Sequence, residues 1–216
     1  MTTLRRTRIK VCGITRTDDA LAAIAAGVDA IGLVFHPKSP RCLDIQRASA
    51  IVEVLPPFVT TVGVFVDLNI EQYLDIDDYV HLHVLQLHGT ETPGQCRQFG
   101  RPYIKGVRMR EDVDLNATEK AYADCRALLL DSYRPDLAGG TGETFPWQKI
   151  PSSLTKPFIL AGGLNADNVG EAIKITRPFA VDVSTGVERE RGVKDIEKIE
   201  RFVHAVWEAD RQIRNK

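Results

Sequence analysis

A charge bias of either sign is missing from this chain. Its 28 Lys and Arg stand against 29 Asp and Glu, for a formal net charge of −1. That balance gives no field to draw it to nucleic acid or an anionic membrane, so neither partner is expected. Long apolar runs are also missing. None approaches the ~20 residues that cross a bilayer. The N-terminus MTTLRRTRIK is basic but has no apolar stretch behind it, so no secretory signal is expected. Cysteine is scarce: Cys12, Cys42, Cys96 and Cys125. No two form a C-x-x-C pair and no histidine cluster completes a zinc set, so no metal site is expected. Free thiols in a reducing compartment, the cytoplasm, are the default.

What the chain has is alternation. Short apolar runs alternate with longer amphipathic ones. RIKVCGI is strand-like, and the Ala-rich segment 18–27 after it reads as a helix stopped by Gly27. The same pairing recurs at 29–35 with 44–55, which Pro56 and Pro57 end. It continues at 60–67 with 69–79, 83–89 with 92–100, and 103–109 with 116–125. RALLLD (126–131) is followed by a long Gly-rich loop (132–144), with FPWQKI at best a short helix. Then come 157–163 with 165–175, and 179–186 with 194–213. The last helix places Ile196, Ile199, Phe202, Val203, Val206 and Ile213 on one face. Strands apolar on both faces suit a parallel sheet covered by helices. Eight strand–helix units predict an α/β fold, a single (β/α)8 barrel of eight parallel strands over residues 1–216. A doubly wound open sheet is the runner-up.

Chemistry in such a barrel gathers at the C-terminal ends of the strands. Two reactive side chains end apolar runs there. Cys12 precedes Gly13, and Asp131 precedes the Gly-rich loop. Each has a plain alternative: a small buried thiol, or a capping carboxylate. As a pair they suggest a base and an acid meeting in one pocket. Lys10 lies on the same strand face as Cys12 and could supply a cation that lowers the thiol's pKa. Strand 7 runs into AGGLNADN and strand 8 into DVSTGVE. Gly162, Gly163, Ser184, Thr185 and Gly186 could offer amides and hydroxyls to a phosphate, helped by a helix N-terminus. They could equally be turn residues. Arg41 in HPKSPR could grip a carboxylate at two points or simply be solvated. His88 could be a satisfied core histidine. The loop 132–144 reads as a flap.

KVCGIT, GLVFHPKSPR, VGVFVD, LQLHGTE, ILAGGLNADNV and VDVSTGVERERGVKD, with the block from Asp131 to GGTGETFPW, closely resemble the phosphoribosylanthranilate isomerase family of tryptophan biosynthesis. They span residues 10–195 in the family's order. The resemblance implies an Amadori rearrangement of an aldosamine to a ketosamine, with no metal or organic cofactor. It implies Asp131 as general acid, Cys12 as general base and Arg41 facing the anthranilate carboxylate. Gly162, Gly163, Ser184 and Gly186 fall on its phosphate positions, and His88 and Asp182 lie near the substrate. Thr185 departs from the family's more usual serine but keeps the hydroxyl. Competing readings are another phosphosugar barrel, such as an epimerase or indole-glycerol-phosphate synthase, and a non-catalytic phosphate-binding barrel. Neither would use Cys12 and Asp131 together. The near-neutral surface leans towards a monomer, with a homodimer open.

Overall fold

The structure is a computed structural model, and it describes residues 6–132 and 144–215. Its strands are β1 (Arg8–Cys12), β2 (Ala30–Val34), β3 (Thr60–Phe65), β4 (Val84–Leu87), β5 (Tyr103–Met109), β6 (Ala127–Ser132), β7 (Phe158–Leu160) and β8 (Ala180–Val183). All pair in parallel, each with its sequence neighbour, and β8 returns to β1 through Arg8↔Ala180 and Lys10↔Asp182 to close the barrel. The runner-up open sheet is thereby excluded.

The helices are α1 (Thr17–Ala25), α2 (Ile45–Glu53), α3 (Ile70–Asp77), α4 (Pro93–Gln98), α5 (Leu115–Ala121), α6 (Val169–Thr176) and α7 (Ile196–Arg214). Several begin where the sequence offers a capping side chain. Asp44, Asn69 and Asp195 each accept from a backbone N–H in the first turn. Thr92 and Gln95 form a reciprocal capping box on α4. Among the described residues the eight expected units carry seven helices and one short substitute. Among the described residues between β6 and β7 there is only a single 3₁₀ turn, Trp147–Lys149. Most of the supposed flap, 133–143, lies outside the described residues.

Two further departures concern the last unit. The segment after β8 makes a 3₁₀ turn, Thr185–Val187, then a small antiparallel hairpin of β9 (Glu188–Glu190) and β10 (Val193–Lys194). No such hairpin is read in the sequence, which divides there into a strand at 179–186 and a helix at 194–213. Ile196, the first residue of α7, is not buried with the rest of that face; it is 53% exposed. Ile199, Phe202, Val203 and Val206 are buried as the 3.6 period requires.

The apolar mass divides in two. A large cluster lies between strands and helices, with Ile9, Ile31, Leu33, Leu128, Leu160, Val181 and Phe202 fully buried. A smaller one, Val62, Ile104, Ala127, Leu129, Ile159, Ala161 and Ala180, fills the barrel itself. Alternation along each strand sends every second side chain inward. Inward residues just above this plug are therefore polar: Lys10, Gln86 and Asp182 are all buried. The barrel floor is a packed core, and the polar layer over it is the floor of the site.

Candidate active site

A cavity of about 200 Å³ opens above that layer. Cys12 from β1, His88 after β4, Arg108 from β5 and Asp131 from β6 line it together, with Gly162 and Gly163 after β7 and Asp182, Ser184 and Thr185 at β8. Arg41, on the loop after β2, completes the wall. Thus nine of the ten residues singled out in the sequence meet in one cavity. Gly186 does not line it. Its role is close packing: a Cβ there would lie 2.1 Å from the Leu164 carbonyl oxygen, so only glycine lets the loops after β7 and β8 touch. Gly162 works in the same way with φ +82°, a Cβ falling 2.3 Å from the Ser132 amide nitrogen.

The base candidate sits in a charged nest. Lys10 Nζ bonds both carboxylate oxygens of Asp182, at 2.9 and 3.0 Å, and also reaches Cys12. Gly32 makes the room, because a Cβ there would come within 2.8 Å of Cys12 Sγ and 3.0 Å of Lys10 Nζ. Lys10 does pull the thiol's pKa down, as expected, but it does not set the net direction. Burial raises the Cys12 thiol, and Asp182 adds to it; Lys10 and Lys194 pull against this without reversing it. Lys10 itself stays an ammonium. Burial works against its charge, but Asp182 and Cys12 outweigh burial and raise it above its ordinary value.

The acid candidate touches one histidine. His88 Nε2 lies 3.2 Å from Asp131 Oδ2, and His88 Nδ1 lies 3.0 Å from the amide nitrogen of Gln86. His88 is thus a partner of Asp131 rather than a satisfied core residue.

Arg41 holds a surprise for the sequence reading. Its guanidinium is neither solvated nor free. Nε and Nη2 each bond one oxygen of Glu188, both at 2.6 Å. Lys194 Nζ binds Glu188 Oε1 at 2.9 Å and the Ser184 carbonyl at 3.2 Å. Arg41 also lies across Gly13, whose φ is +74° and whose Cβ would meet Arg41 Cδ at 2.3 Å. Glu188 and Lys194 are the functional candidates missing from the sequence reading. The available signal was the Arg191-Gly192 turn between short alternating segments. Among the described residues no group of three or more His, Cys, Asp or Glu is placed to hold a metal ion. Nor is any helix among them long and apolar enough to cross a membrane.

Comparison with known proteins is consistent with this geometry. The family model described as N-(5'-phosphoribosyl)anthranilate (PRA) isomerase matches residues 9–205. The chain belongs to this family. It is 55% identical over 202 residues to the N-(5'-phosphoribosyl)anthranilate isomerase of Pseudomonas putida strain GB-1, covering 94% of this chain and 98% of that one. It superposes on the phosphoribosyl anthranilate isomerase of Thermotoga maritima with a TM-score of 0.86 at 40% identity, covering 94% of this chain and 99% of that one. A solved isomerase in complex with reduced 1-(o-carboxyphenylamino)-1-deoxyribulose 5-phosphate matches with a TM-score of 0.80 at 37% identity, over 94% and 99% of the two chains.

Proposed function

We propose that this cavity carries out the family's reaction with Asp131 as general acid and Cys12 as general base. The substrate is N-(5'-phosphoribosyl)anthranilate, and the step serves tryptophan biosynthesis in the cytoplasm. Asp131 protonates the ribose ring oxygen as the C1–O bond opens, leaving a Schiff base. The Cys12 thiolate then removes the C2 proton to give an enolamine. Tautomerisation moves the hydroxyl proton off C2–OH and adds one at C1, giving 1-(2-carboxyphenylamino)-1-deoxyribulose 5-phosphate. The observation that carries this reading is that Cys12 and Asp131, 119 positions apart in sequence by their numbers, line the same cavity from β1 and β6.

The rest of the wall divides the substrate's other groups. Gly162, Gly163, Ser184 and Thr185 form the phosphate end, with Gly186 packing it together. Arg41 faces the anthranilate carboxylate with the guanidinium edge that Glu188 leaves over. Holding both ends orients the sugar between acid and base.

The test follows the loss of substrate fluorescence when purified protein meets freshly made phosphoribosylanthranilate, with Cys12→Ser and Asp131→Asn beside it. Rapid turnover by the natural chain and near-complete loss in both variants is expected. No turnover by the natural chain would overturn the activity, and survival in one variant would overturn that residue's role.

Association state is a separate matter. The near-neutral charge suits a monomer. One observation favours a homodimer: Phe58, just before β3, is fully exposed and sits at φ +73°, a conformation costly for a bulky residue. Sedimentation of the natural chain and Phe58→Ser decides. A smaller species in the variant alone supports the dimer, and two monomers support the first reading.

A further inference from the structure

A line from Cys12 on β1 to Asp131 on β6 splits the mouth of the closed barrel into two arcs. β7 and β8 lie on one side and β2 to β5 on the other. The glycines and hydroxyls assigned above to phosphate belong to the first arc. A sugar held between Cys12 and Asp131, with its phosphate over β7 and β8, therefore sends its aromatic end over β2 to β5. Two guanidinium groups line the cavity on that second arc, Arg41 after β2 and Arg108 on β5.

The two are not equivalent. Glu188 takes the Nε and Nη2 edge of Arg41 and opposes part of its charge. Arg108 is uncommitted. Along β5, Ile104 belongs to the plug inside the barrel, while Tyr103, Val107 and Met109 pack on the outer cluster. Alternation then turns Arg108 inward, above Gly106, which adjoins the His88 ring. Its side chain makes no hydrogen bond or ion pair among the described residues. The other Lys and Arg groups at the site are paired, Lys10 with Asp182, and Arg41 and Lys194 with Glu188. The charge of Arg108 is felt on its own arc, at Asp67 after β3. That carboxyl lies below its ordinary value, held first by the Thr90 N–H, with the charges of Lys105 and Arg108 adding to the pull against burial. All five N–H donors of Arg108 are left for a ligand.

We propose that Arg108 is a specificity-determining residue: its free guanidinium binds the anthranilate carboxylate, together with the edge of Arg41 that Glu188 leaves over. This rests on the substrate assigned above. A planar fork suits the two oxygens of a carboxylate. A phosphoribosylamine whose ring lacks that carboxylate gains nothing from Arg108.

The experiment is calorimetric titration of the natural chain, Arg108→Gln and Arg108→Lys with two probes, beside steady-state kinetics. One probe is reduced 1-(o-carboxyphenylamino)-1-deoxyribulose 5-phosphate. The other is the same compound with a plain phenyl ring. Arg108 is exposed, so replacing it leaves the packed core untouched. The natural chain is expected to bind the carboxylate probe more tightly than the phenyl one. Arg108→Gln should weaken the carboxylate probe about tenfold, the low end for a hydrogen bond to a charged group, and leave the phenyl probe unchanged. Arg108→Lys, which keeps the charge and loses the fork, should fall between. KM for the substrate should rise by about the same factor in Arg108→Gln with kcat little changed, the mark of lost uniform binding. An equal loss for both probes would place Arg108 on the phosphate or ribose and overturn the proposal. So would no loss for either probe, or a natural chain that binds the two alike. A fall in kcat with KM unchanged would make Arg108 a partner of Asp131, beside it in register, and would overturn it too. A natural chain that binds neither probe would instead sink the substrate assignment beneath the proposal, a separate and recognisable outcome.

Discussion

Arg41 and Glu188, 147 positions apart, form a two-point ion pair inside the wall of the cavity, with both contacts at 2.6 Å. The two side chains are only 11% and 5% exposed. The geometry is the planar fork that guanidinium and carboxylate share. It leaves Arg41 aimed rather than mobile, with Gly13 beneath it and Glu188 behind.

Removing the carboxylate therefore disturbs both fold and binding. Glu188→Gln leaves Arg41 and Lys194 as two buried cations with no counter-charge. Breaking a buried pair from one side costs about 3 kcal/mol. Because Arg41 is then no longer aimed, KM is expected to rise more than kcat falls. Urea unfolding and steady-state kinetics on one preparation check both. Unchanged stability with unchanged KM would remove Glu188 from the site.

The same pair sets an acid limit to stability. Burial alone would raise the Glu188 carboxyl, but Arg41 and Lys194 outweigh it and hold it below the ordinary glutamate value. A folded-state pKa below the unfolded one adds stability above the unfolded value of about 4.3. That stability is lost as pH falls through the folded value. Thermal midpoints of the natural chain should drop below about pH 4.3, while those of Glu188→Gln, lower at pH 7, should change less over the same window. Parallel curves would show that Glu188 carries none of the acid sensitivity.

Gly32 offers a test of space alone. It does not line the cavity, yet a Cβ there would meet Cys12 Sγ at 2.8 Å, Lys10 Nζ at 3.0 Å and the Cys12 Cα at 3.1 Å. The last contact is backbone and cannot swing away. Gly32→Ala is expected to destabilise by about 1–3 kcal/mol, the usual cost of overpacking. It also displaces the thiol, so kcat should fall by at least tenfold with KM little changed, since small misplacements of reacting groups are costly. Natural kcat in a folded Gly32→Ala protein would show that the position of Cys12 tolerates the shift.

Much of the barrel is legible in the sequence because its signals are local. Runs such as ALLLD and AIGLV declare buried parallel strands, and Asp44, Asn69, Thr92 and Asp195 declare helix starts that their hydrogen bonds bear out. Cys12 and Asp131 stand out because a reactive group ends an apolar run. The hidden parts depend on distant residues. Glu188 and Lys194 are brought to Arg41 by a hairpin whose partner lies on a distant loop. Lys10 reads as a cation that lowers the Cys12 pKa, and it does pull that way, but nothing local shows that burial will outweigh it. Among the described residues after β6 the unit shows only the turn Trp147–Lys149, and no periodicity over so few residues separates a turn from a helix.

Lys194 provides the sharpest test of how Cys12 becomes a base. Lys10 gives the larger downward pull on the thiol, opposed in part by its partner Asp182. Lys194 also pulls the thiol's pKa down, and its own partner Glu188 is shared with Arg41. Replacing it by Met keeps the buried stem and removes the charge. The Cys12 pKa should then rise further, and at neutral pH each unit of rise lowers the thiolate fraction about tenfold. The ascending limb of kcat/KM against pH should shift to higher pH, with activity largely recovered in alkaline buffer. Iodoacetamide alkylation of Cys12, followed by mass spectrometry against pH, reads the same ionisation without substrate. If the alkylation profile of Lys194→Met overlays that of the natural chain, the cation does not tune the thiol. Any activity loss would then come from the disturbed Arg41–Glu188 pair instead.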